Sequence, residues 1–390
     1  MHKAFICYNI RSMDPKSVLT SVEARSKWIQ ENLRRLVLQE SPSEDKASVD
    51  AAATLVEDMA RPLGGRVKRH RQKSFGDVLE LRFGPARSRR KPLILLGHLD
   101  TVWPMGTLKT MPWREEKGRY WGPGVLDMKA GVVMALAAVS ALQELKLERP
   151  VTLLLNSEEE VGSPVSRAIT ERLAREAAAV FVLEPAQGLA YKTARKGVGY
   201  YLVEVEGVAA HSGGDFERGH SAILELAKLV LTISGFTRSD GKLTVNCGHF
   251  AGGTRSNVIA QFARAEVDVR IPKASDAAYI EKRFRSLKVS DPHCKLKITG
   301  GINRPPMERK AGTIALFKQA RRLAAELGFD LDEAASGGGS DGNFTAAMGV
   351  PTLDGMGAVG DGAHAAHESV VIEHLVPRTA LLAAMIASVE

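Results

Sequence analysis

Three short apolar runs constrain this chain more than any other feature: 93–96 (Leu-Ile-Leu-Leu), 151–155 (Val-Thr-Leu-Leu-Leu) and 179–183 (Ala-Val-Phe-Val-Leu). A strand covered on both faces reads as a near-continuous apolar run, whereas a strand with one wet face alternates. Helical stretches at 128–145 and 164–175 separate the three runs. Strands alternating with helices predict an α/β layer structure around a mixed, mainly parallel central sheet. The first hundred residues read as helix, helix, strand, strand, with the Arg-rich clusters 66–71 and 87–91 as solvated surface or loop.

After Tyr200 the pattern changes. Val203, Val205 and Val208 suggest a strand, 221–233 an amphipathic helix, and 243–247 and 263–271 two further strands. In the last of these Ala263, Ala265, Val267, Val269 and Ile271 alternate with Arg264, Glu266, Asp268 and Arg270, as expected of an antiparallel strand with one solvated face. A helix at 276–286 and a strand at 294–298 complete a β-α-β-β-α-β set. Beyond Pro305-Pro306 the chain returns to helix, Gly-rich loop, strand and terminal helix. The economical division is one α/β domain, 1–195 and 306–390, interrupted by a smaller α+β domain, 196–305.

Composition removes several alternatives. The chain is 44% hydrophobic and 25% charged, so it can bury enough surface to offset its ordering entropy. Its three cysteines, Cys7, Cys247 and Cys294, are far apart and odd in number. They exclude a disulfide framework and a thiolate zinc site, and predict reduced thiols in a cytoplasmic protein. No apolar run approaches the ~18 residues of a membrane helix. No small-residue cleavage site follows residues 1–10, so a secretory signal is not expected; Met13 is an alternative start. The net charge of +8, from 53 Lys and Arg against 45 Asp and Glu, suits an acidic partner. Without an aromatic stacking pattern it does not predict nucleic-acid binding.

The chemically promising residues follow the buried runs, where open α/β sheets place ligands. His98-Leu99-Asp100 follows the first, and its i, i+2 spacing lets the carboxylate reach the imidazole and leave one ring nitrogen for a metal. Alone, that pattern also fits an ordinary structural histidine. Asp127 lies on a Gly/Pro-shaped loop opening a helix, and reads as a ligand or as a helix cap. Glu158-Glu159-Glu160 follow the second run and Glu184 the third, while His364 lies in a Gly/Ala-rich loop. Three consecutive acids can be a solvated run, but at a buried strand end they repel unless a cation compensates. Asp127, Glu160 and Glu184 contribute a formal −3; two divalent cations leave +1, which one hydroxide neutralises. Imidazole and carboxylate without thiolate suit zinc, with cobalt or manganese as substitutes.

Taken together these segments carry a specific resemblance. Gly-His-Leu-Asp-Thr-Val (97–102), Gly-Pro-Gly-Val-Leu-Asp-Met-Lys (122–129), Glu-Glu-Glu-Val-Gly-Ser (158–163), Leu-Glu-Pro (183–185), Ala-His-Ser-Gly (210–213) and His-x-x-x-Glu (364–368) are similar to the aminoacylase, acetylornithine deacetylase and succinyl-diaminopimelate desuccinylase family of di-zinc amidohydrolases. The chain resembles its glutamate carboxypeptidase branch from about residue 28 to the end. The resemblance implies a zinc-exopeptidase-like catalytic domain and a lid domain that dimerises by a two-fold interface. It implies two Zn²⁺ per chain, His98 and Glu184 holding one, Glu160 and His364 the other, with Asp127 bridging. Glu159 is then the general base and Asp100 the partner that orients His98. A register shift of one would instead make Glu158 the base and Glu159 the ligand; the spacing to Val-Gly-Ser selects the first. Spacing to Glu368 likewise selects His364 over His367. His211 matches the lid histidine that faces the developing oxyanion.

The reaction implied is hydrolysis of an amide beside a free C-terminal carboxylate, releasing glutamate from an acyl or peptidyl group. N-acyl-amino-acid deacylation or dipeptide cleavage is the alternative. Candidates to bind the carboxylate are Asn257, Arg270 and Arg304, since arginine pairs with carboxylate through two parallel hydrogen bonds. The Gly-rich loop 337–342, with Gly338, offers backbone N–H groups to an anion. It lacks the Gly-Lys-Ser/Thr ending of a phosphate loop. Arg270 is also one of the polar-face positions of its alternating strand.

Overall fold

The computed structural model describes residues 14–146, 149–240 and 242–389; Cys7 and the candidate starts Met1 and Met13 lie outside them. In chain order its strands are β1 (Arg66–His70), β2 (Val78–Phe83), β3 (Leu93–His98), β4 (Arg114–Glu116), β5 (Arg119–Trp121), β6 (Val151–Asn156), β7 (Ala179–Val182), β8 (Tyr191–Arg195), β9 (Gly197–Glu206), β10 (Thr244–Gly252), β11 (Phe262–Ile271), β12 (Lys295–Arg304), β13 (Glu333–Ser336), β14 (Thr352–Leu353), β15 (Gly360–Asp361) and β16 (Ser369–Val371). By internal contacts the chain divides into a larger unit, up to Lys192 with Ala311–Ala334 and from Val350 onward, and a smaller unit, Thr193–Lys310 with Ala335–Gly349.

The larger unit is built on a six-stranded sheet in the order β1-β2-β6-β3-β7-β14. The last four are parallel, and β2 runs antiparallel to both of its neighbours. Every residue of β3, β6 and β7 is buried, because successive side chains enter different cores. Leu93, Leu95, Leu153, Leu155 and Phe181 face the core of helices Ala130–Glu144 and Ile372–Ser388. Ile94, Leu96, Leu154, Val180 and Val182 pack with Leu173 and Ala174 of helix Arg167–Ala174 on the other side. The apolar runs are therefore the mark of a sheet sandwiched between helices.

Two expectations change in this unit. The Arg-rich stretch 66–71, expected as solvated surface or loop, is surface but not loop: Arg66–His70, exposed or half-buried throughout, forms β1 at the edge of the central sheet. An edge strand tolerates charge because one side of its backbone is unpaired, and here the arginines are used, Arg69 on Glu57 and Arg71 on Asp77 at 2.8 Å. Among the described residues one helical segment, Val125–Glu144, is after all long and apolar enough to cross a membrane, and 89% of its apolar window is buried in the protein. Lys129 and the terminal polar residues interrupt the run without lowering its average much. Its burial makes it the central helix of the larger core.

The smaller unit has an antiparallel sheet in the order β10-β11-β9-β12. Helices Ala222–Ser234 and Ala274–Arg285 cover the face carrying Val203, Val205, Ala265, Val267 and Val269. The alternation in 262–271 thus separates a helix-covered face from a wet one. Segment 335–349 groups with this unit, whereas the sequence reading carried 306–390 as one piece. The reason is polar and long-range. Asn343 Nδ2 donates to the carbonyls of Lys196 (3.1 Å) and Pro305 (2.8 Å), and Arg195 donates to those of Gly338 and Gly339.

One close approach positions the site. A Cβ on Gly131, in the first turn of helix Ala130–Glu144, would lie 2.2 Å from the carbonyl oxygen of Leu183, the residue before Glu184. Alanine would gain about 1 kcal/mol of helix propensity, but overpacking of this kind costs about 1–3 kcal/mol. Gly131→Ala is expected to lower stability in urea unfolding despite its propensity gain; an unchanged or raised stability would show that the helix can back away.

Candidate metal centre

Three neighbouring parallel strands, in the order β6-β3-β7, end at one place in the larger unit. His98 is the last residue of β3, Glu159 and Glu160 form the short turn after β6, and Glu184 lies two residues beyond β7. A second, antiparallel sheet in the order β15-β16-β5-β4 supplies the rest. It places loop 122–129, which leaves β5, beside loop 362–368, which joins β15 to β16. Asp127 does not cap the helix that begins at Ala130. It sits in an irregular turn with φ −111° and ψ 92°, followed by a cis bond to Met128. His364 has a left-handed φ of 62°, an uncommon conformation for a non-glycine residue.

The side chains form two overlapping groups. His98 Nε2 lies 3.2 Å from Asp127 Oδ1 and 3.6 Å from Glu184 Oε1. His364 Nε2 lies 3.4 Å from Asp127 Oδ2 and 3.2 Å from Glu160 Oε2. Each trio offers three ligand atoms within 4.8 Å of one another, and Asp127 belongs to both through different oxygens. His98, Asp127, Glu160, Glu184 and His364 are thus all brought together.

Each donor is held from behind. His98 Nδ1 faces the Asp100 backbone oxygen at 3.0 Å and its Oδ1 at 3.3 Å, which leaves Nε2 toward the carboxylates. The buried Asp100 carboxylate accepts the N–H groups of Glu159 and Glu160 at 3.0 and 3.1 Å and the Ser43 hydroxyl at 2.6 Å. It therefore positions the acidic turn as well as the histidine. Burial alone would raise its pKa, but the His98 contact and these donors hold it below the usual range. Glu158, the first acid of the triplet, is fully buried and accepts from Ser157, Val165 and Ser166. Its carboxylate braces the following loop.

The residue that sequence reasoning used only as a spacing marker, Glu368, has a larger part. It is buried and accepts from the N–H groups of Gly124 (2.8 Å), Leu126 (2.9 Å) and Asp127 (3.0 Å) and from Trp103 Nε1 (2.8 Å). It ties the loop carrying Asp127 to the segment carrying His364. Lys129, at the end of the same motif, is buried with its Nζ on the Gln39 carbonyl at 2.8 Å. Burial pulls its pKa down to about 8.

Electrostatics test the fit of a cation. Glu160 Oε1 is buried without a hydrogen-bond partner, a costly condition unless something positive meets it. Protons on the histidines are the other way to balance that charge. Hydrogen bonds donated to the Asp127 and Glu160 carboxylates raise His364 to about 10, against its burial. Burial would lower His98, but Asp100 and Asp127 hold it well above its ordinary value, and Glu159 is near enough to contribute. Burial, partly offset by His364 and His98, raises Glu160. Two imidazoles and three carboxylates fit borderline divalent cations, zinc first, and uptake of such ions would displace these protons.

The remaining candidates lie on the smaller unit. His211 and Asn257, far apart in sequence, are neighbours there: Ser212 N–H donates to the Asn257 carbonyl at 3.1 Å, and His211 pairs with Val258. His211 Nδ1 accepts the N–H groups of Gly213 (3.1 Å) and Gly214 (3.0 Å). A backbone N–H can only donate, so the ring's proton sits on Nε2. Arg270 forms a two-point pair with Asp268 at 2.8 Å on the wet face of β11, both partly exposed (32% and 42%). Arg304 pairs with Asp341 at 3.0 Å, both nearly inaccessible (8% and 4%). The Gly-rich loop is less open to an anion than its composition suggests. The N–H groups of Gly338, Ser340 and Gly342 already donate to Ser336, Asn343 and Ser340 side chains.

Comparison with known proteins is consistent with this geometry. Residues 94–388 match the sequence profile of peptidase family M20/M25/M40. Carboxypeptidase G2 of Pseudomonas sp. (strain RS-16) is 31% identical over 363 residues, covering 90% of this chain and 86% of its own. A succinyl-diaminopimelate desuccinylase of Cereibacter sphaeroides is 26% identical over 310 residues, 73% of this chain and 80% of its own. The fold is shared with an M20 family metallo-carboxypeptidase from Sulfolobus solfataricus, with a TM-score of 0.73 at 17% identity, covering 92% and 98% of the two chains.

Glu368 gives the prediction of this section. Glu368→Gln keeps the shape but removes the charge that gathers four N–H donors, so Asp127 should lose its fixed position. Metal affinity is expected to fall roughly 10–100-fold, as for other residues that orient ligands, measured by competition with a chromogenic chelator. Unchanged affinity would mean that the loop is held by its own turn geometry.

Proposed function

Because the chain belongs to peptidase family M20/M25/M40, a family of metallo-exopeptidases, we propose that it is a di-zinc carboxypeptidase releasing C-terminal glutamate from an acyl or peptidyl group. The observation that carries this reading is the pair of ligand trios sharing Asp127. His98 and Glu184 would hold one ion and Glu160 and His364 the other, with Asp127 belonging to both sets. When bound, such ions lower the pKa of water toward ~7 and polarise the scissile carbonyl. Glu159 takes the proton of the attacking water and hands it to the leaving amine. His211, with its proton on Nε2, donates to the oxyanion.

The two arginines differ as receptors for the substrate carboxylate. An exposed ion pair is worth about 0–1 kcal/mol, so a substrate can draw Arg270 away from Asp268. Breaking a buried pair such as Arg304–Asp341 leaves an uncompensated charge, at about 3–5 kcal/mol. Arg270 is therefore the arginine that a substrate carboxylate can recruit, with Asn257 a further candidate donor and Arg304 and the Gly338 loop the less available ones. Free Cys247 and Cys294 accord with a cytoplasmic enzyme. The desuccinylase relative favours one second reading, N-acyl-amino-acid deacylation. A panel of N-acyl amino acids and dipeptides, scored for released amine, separates the two. Preference for C-terminal glutamate supports the first; indifference to that residue with a sharp acyl preference supports the second.

Two mutants separate base from ligand. Glu159→Gln keeps size but removes the proton acceptor, so turnover should fall by roughly 10²–10⁴ with metal content unchanged. Glu160→Gln should lose metal together with activity. Loss of metal from Glu159→Gln, with Glu160→Gln keeping metal and activity, would shift the roles by one residue.

Assembly offers a further check. We place a two-fold dimer interface on the smaller unit, with His211 serving the partner's centre. Glu159→Gln and His211→Ala should each be nearly inactive. In a refolded mixture about half the dimers are mixed, each with one intact site of two, so about a quarter of wild-type activity should return by two-fold symmetry. No recovery would place His211 over its own centre.

A further inference from the structure

A second concentration of metal-ligating side chains lies in the smaller unit. His220, Asp291 and His293 offer three ligand atoms within 4.8 Å of one another. His220 Nδ1 is 2.7 Å from Asp291 Oδ2, and the two imidazole rings lie 4.1 Å apart, tilted by 31°. Asp291 Oδ1 accepts the backbone N–H of His293 at 2.9 Å, which fixes the carboxylate beside His220. Hydrogen bonds from that N–H and from His220 hold Asp291 below the usual carboxylate range, so it is ionised at neutral pH. The nearby lysines are already engaged, Lys228 with Glu225 at 2.6 Å and Lys295 with Glu206 at 3.7 Å. They leave the Asp291 charge to the histidines.

We propose that His220, Asp291 and His293 bind a divalent cation of the zinc class, and that this ion clamps the base of the loop carrying His211. Two neutral imidazoles and one carboxylate, with water completing the shell, are the donors such an ion takes. Zinc–nitrogen and zinc–oxygen bonds of about 2.0–2.2 Å at tetrahedral angles need ligand atoms roughly 3.3 Å apart. From a present separation of at most 4.8 Å, small side-chain rotations would bring the ligand atoms there. The ion takes the place of the Nδ1 hydrogen that His220 directs at Asp291, and the neutral ring then carries its proton on Nε2.

The position of His220 gives the site its consequence. Val208 and His220 exchange two backbone hydrogen bonds of 2.9 Å and so close loop 208–220, with His211 inside it. Asp291 and His293 stand on the turn that leads into β12. An ion between them ties the closed end of the loop to the sheet, leaving the Gly213-Gly214 arch that holds the His211 ring.

The test counts ions, so it does not depend on the hydrolytic reading. Full-length protein is dialysed against excess zinc, passed through a desalting column and analysed by elemental mass spectrometry. Wild type should hold one ion per chain more than His293→Ala. Asp291→Asn and His220→Gln, whose folding is checked by circular dichroism, should show the same deficit. Zinc should slow tryptic cleavage after Arg218, inside the loop, in wild type but not in these variants. Equal ion counts in wild type and folded variants would overturn the site. An extra ion without protection of Arg218 would overturn the clamp.

Discussion

Three carboxylates gathered at the ends of buried strands cannot be left facing one another, and most of the larger unit's polar architecture answers that constraint. Asp127, Glu160 and Glu184 meet two imidazoles within 3.2–3.6 Å. In a low-dielectric setting their mutual repulsion must be met by protons or cations. The raised pKa of both histidines and the unpartnered Glu160 Oε1 are two expressions of one unbalanced charge. A geometry held this firmly has to be imposed from outside the cluster.

Three further carboxylates impose it, each through backbone N–H groups. Asp100 grips the turn of Glu159 and Glu160, Glu158 braces the loop after it, and Glu368 collects the N–H groups around Asp127. Hydrogen bonds to a charged acceptor are worth roughly 1.5–3 kcal/mol each when buried, and they fix loops that have no regular ladder of their own. Loops braced this way hold their side chains in place, while the sheet supplies the frame.

The smaller unit follows a different logic. Its sheet has one helix-covered face, and its polar groups are mostly exposed pairs that cost little to rearrange. The Arg270–Asp268 pair belongs to this class, whereas Arg304–Asp341 is buried and fixed. The first kind of pair costs little to break, and breaking the second leaves a buried charge uncompensated.

Much of this was legible in the residue order. The apolar runs at 93–96, 151–155 and 179–183 determined a sheet buried on both faces, because only such strands dispense with polar alternation. The strict alternation at 263–271 determined the one-sided sheet. Placement after those runs also singled out His98, the acidic triplet 158–160 and Glu184, while the resemblance carried by the motifs added Asp127 and His364 and chose Glu160 within the triplet. Other features needed the tertiary structure. The edge strand Arg66–His70 looked like a loop because charge is tolerated there. The small sheet of β4, β5, β15 and β16 has strands of two or three residues, too short to leave a period. Yet that sheet brings residues 122–127 to residues 361–369, and Glu368 then locks the two segments together. The grouping of 335–349 with the smaller unit rests on single side-chain hydrogen bonds from Arg195 and Asn343. Periodicity reports which face of an element is buried. It carries no information about which distant backbone N–H a buried carboxylate will find, and on that pairing the geometry of the centre depends.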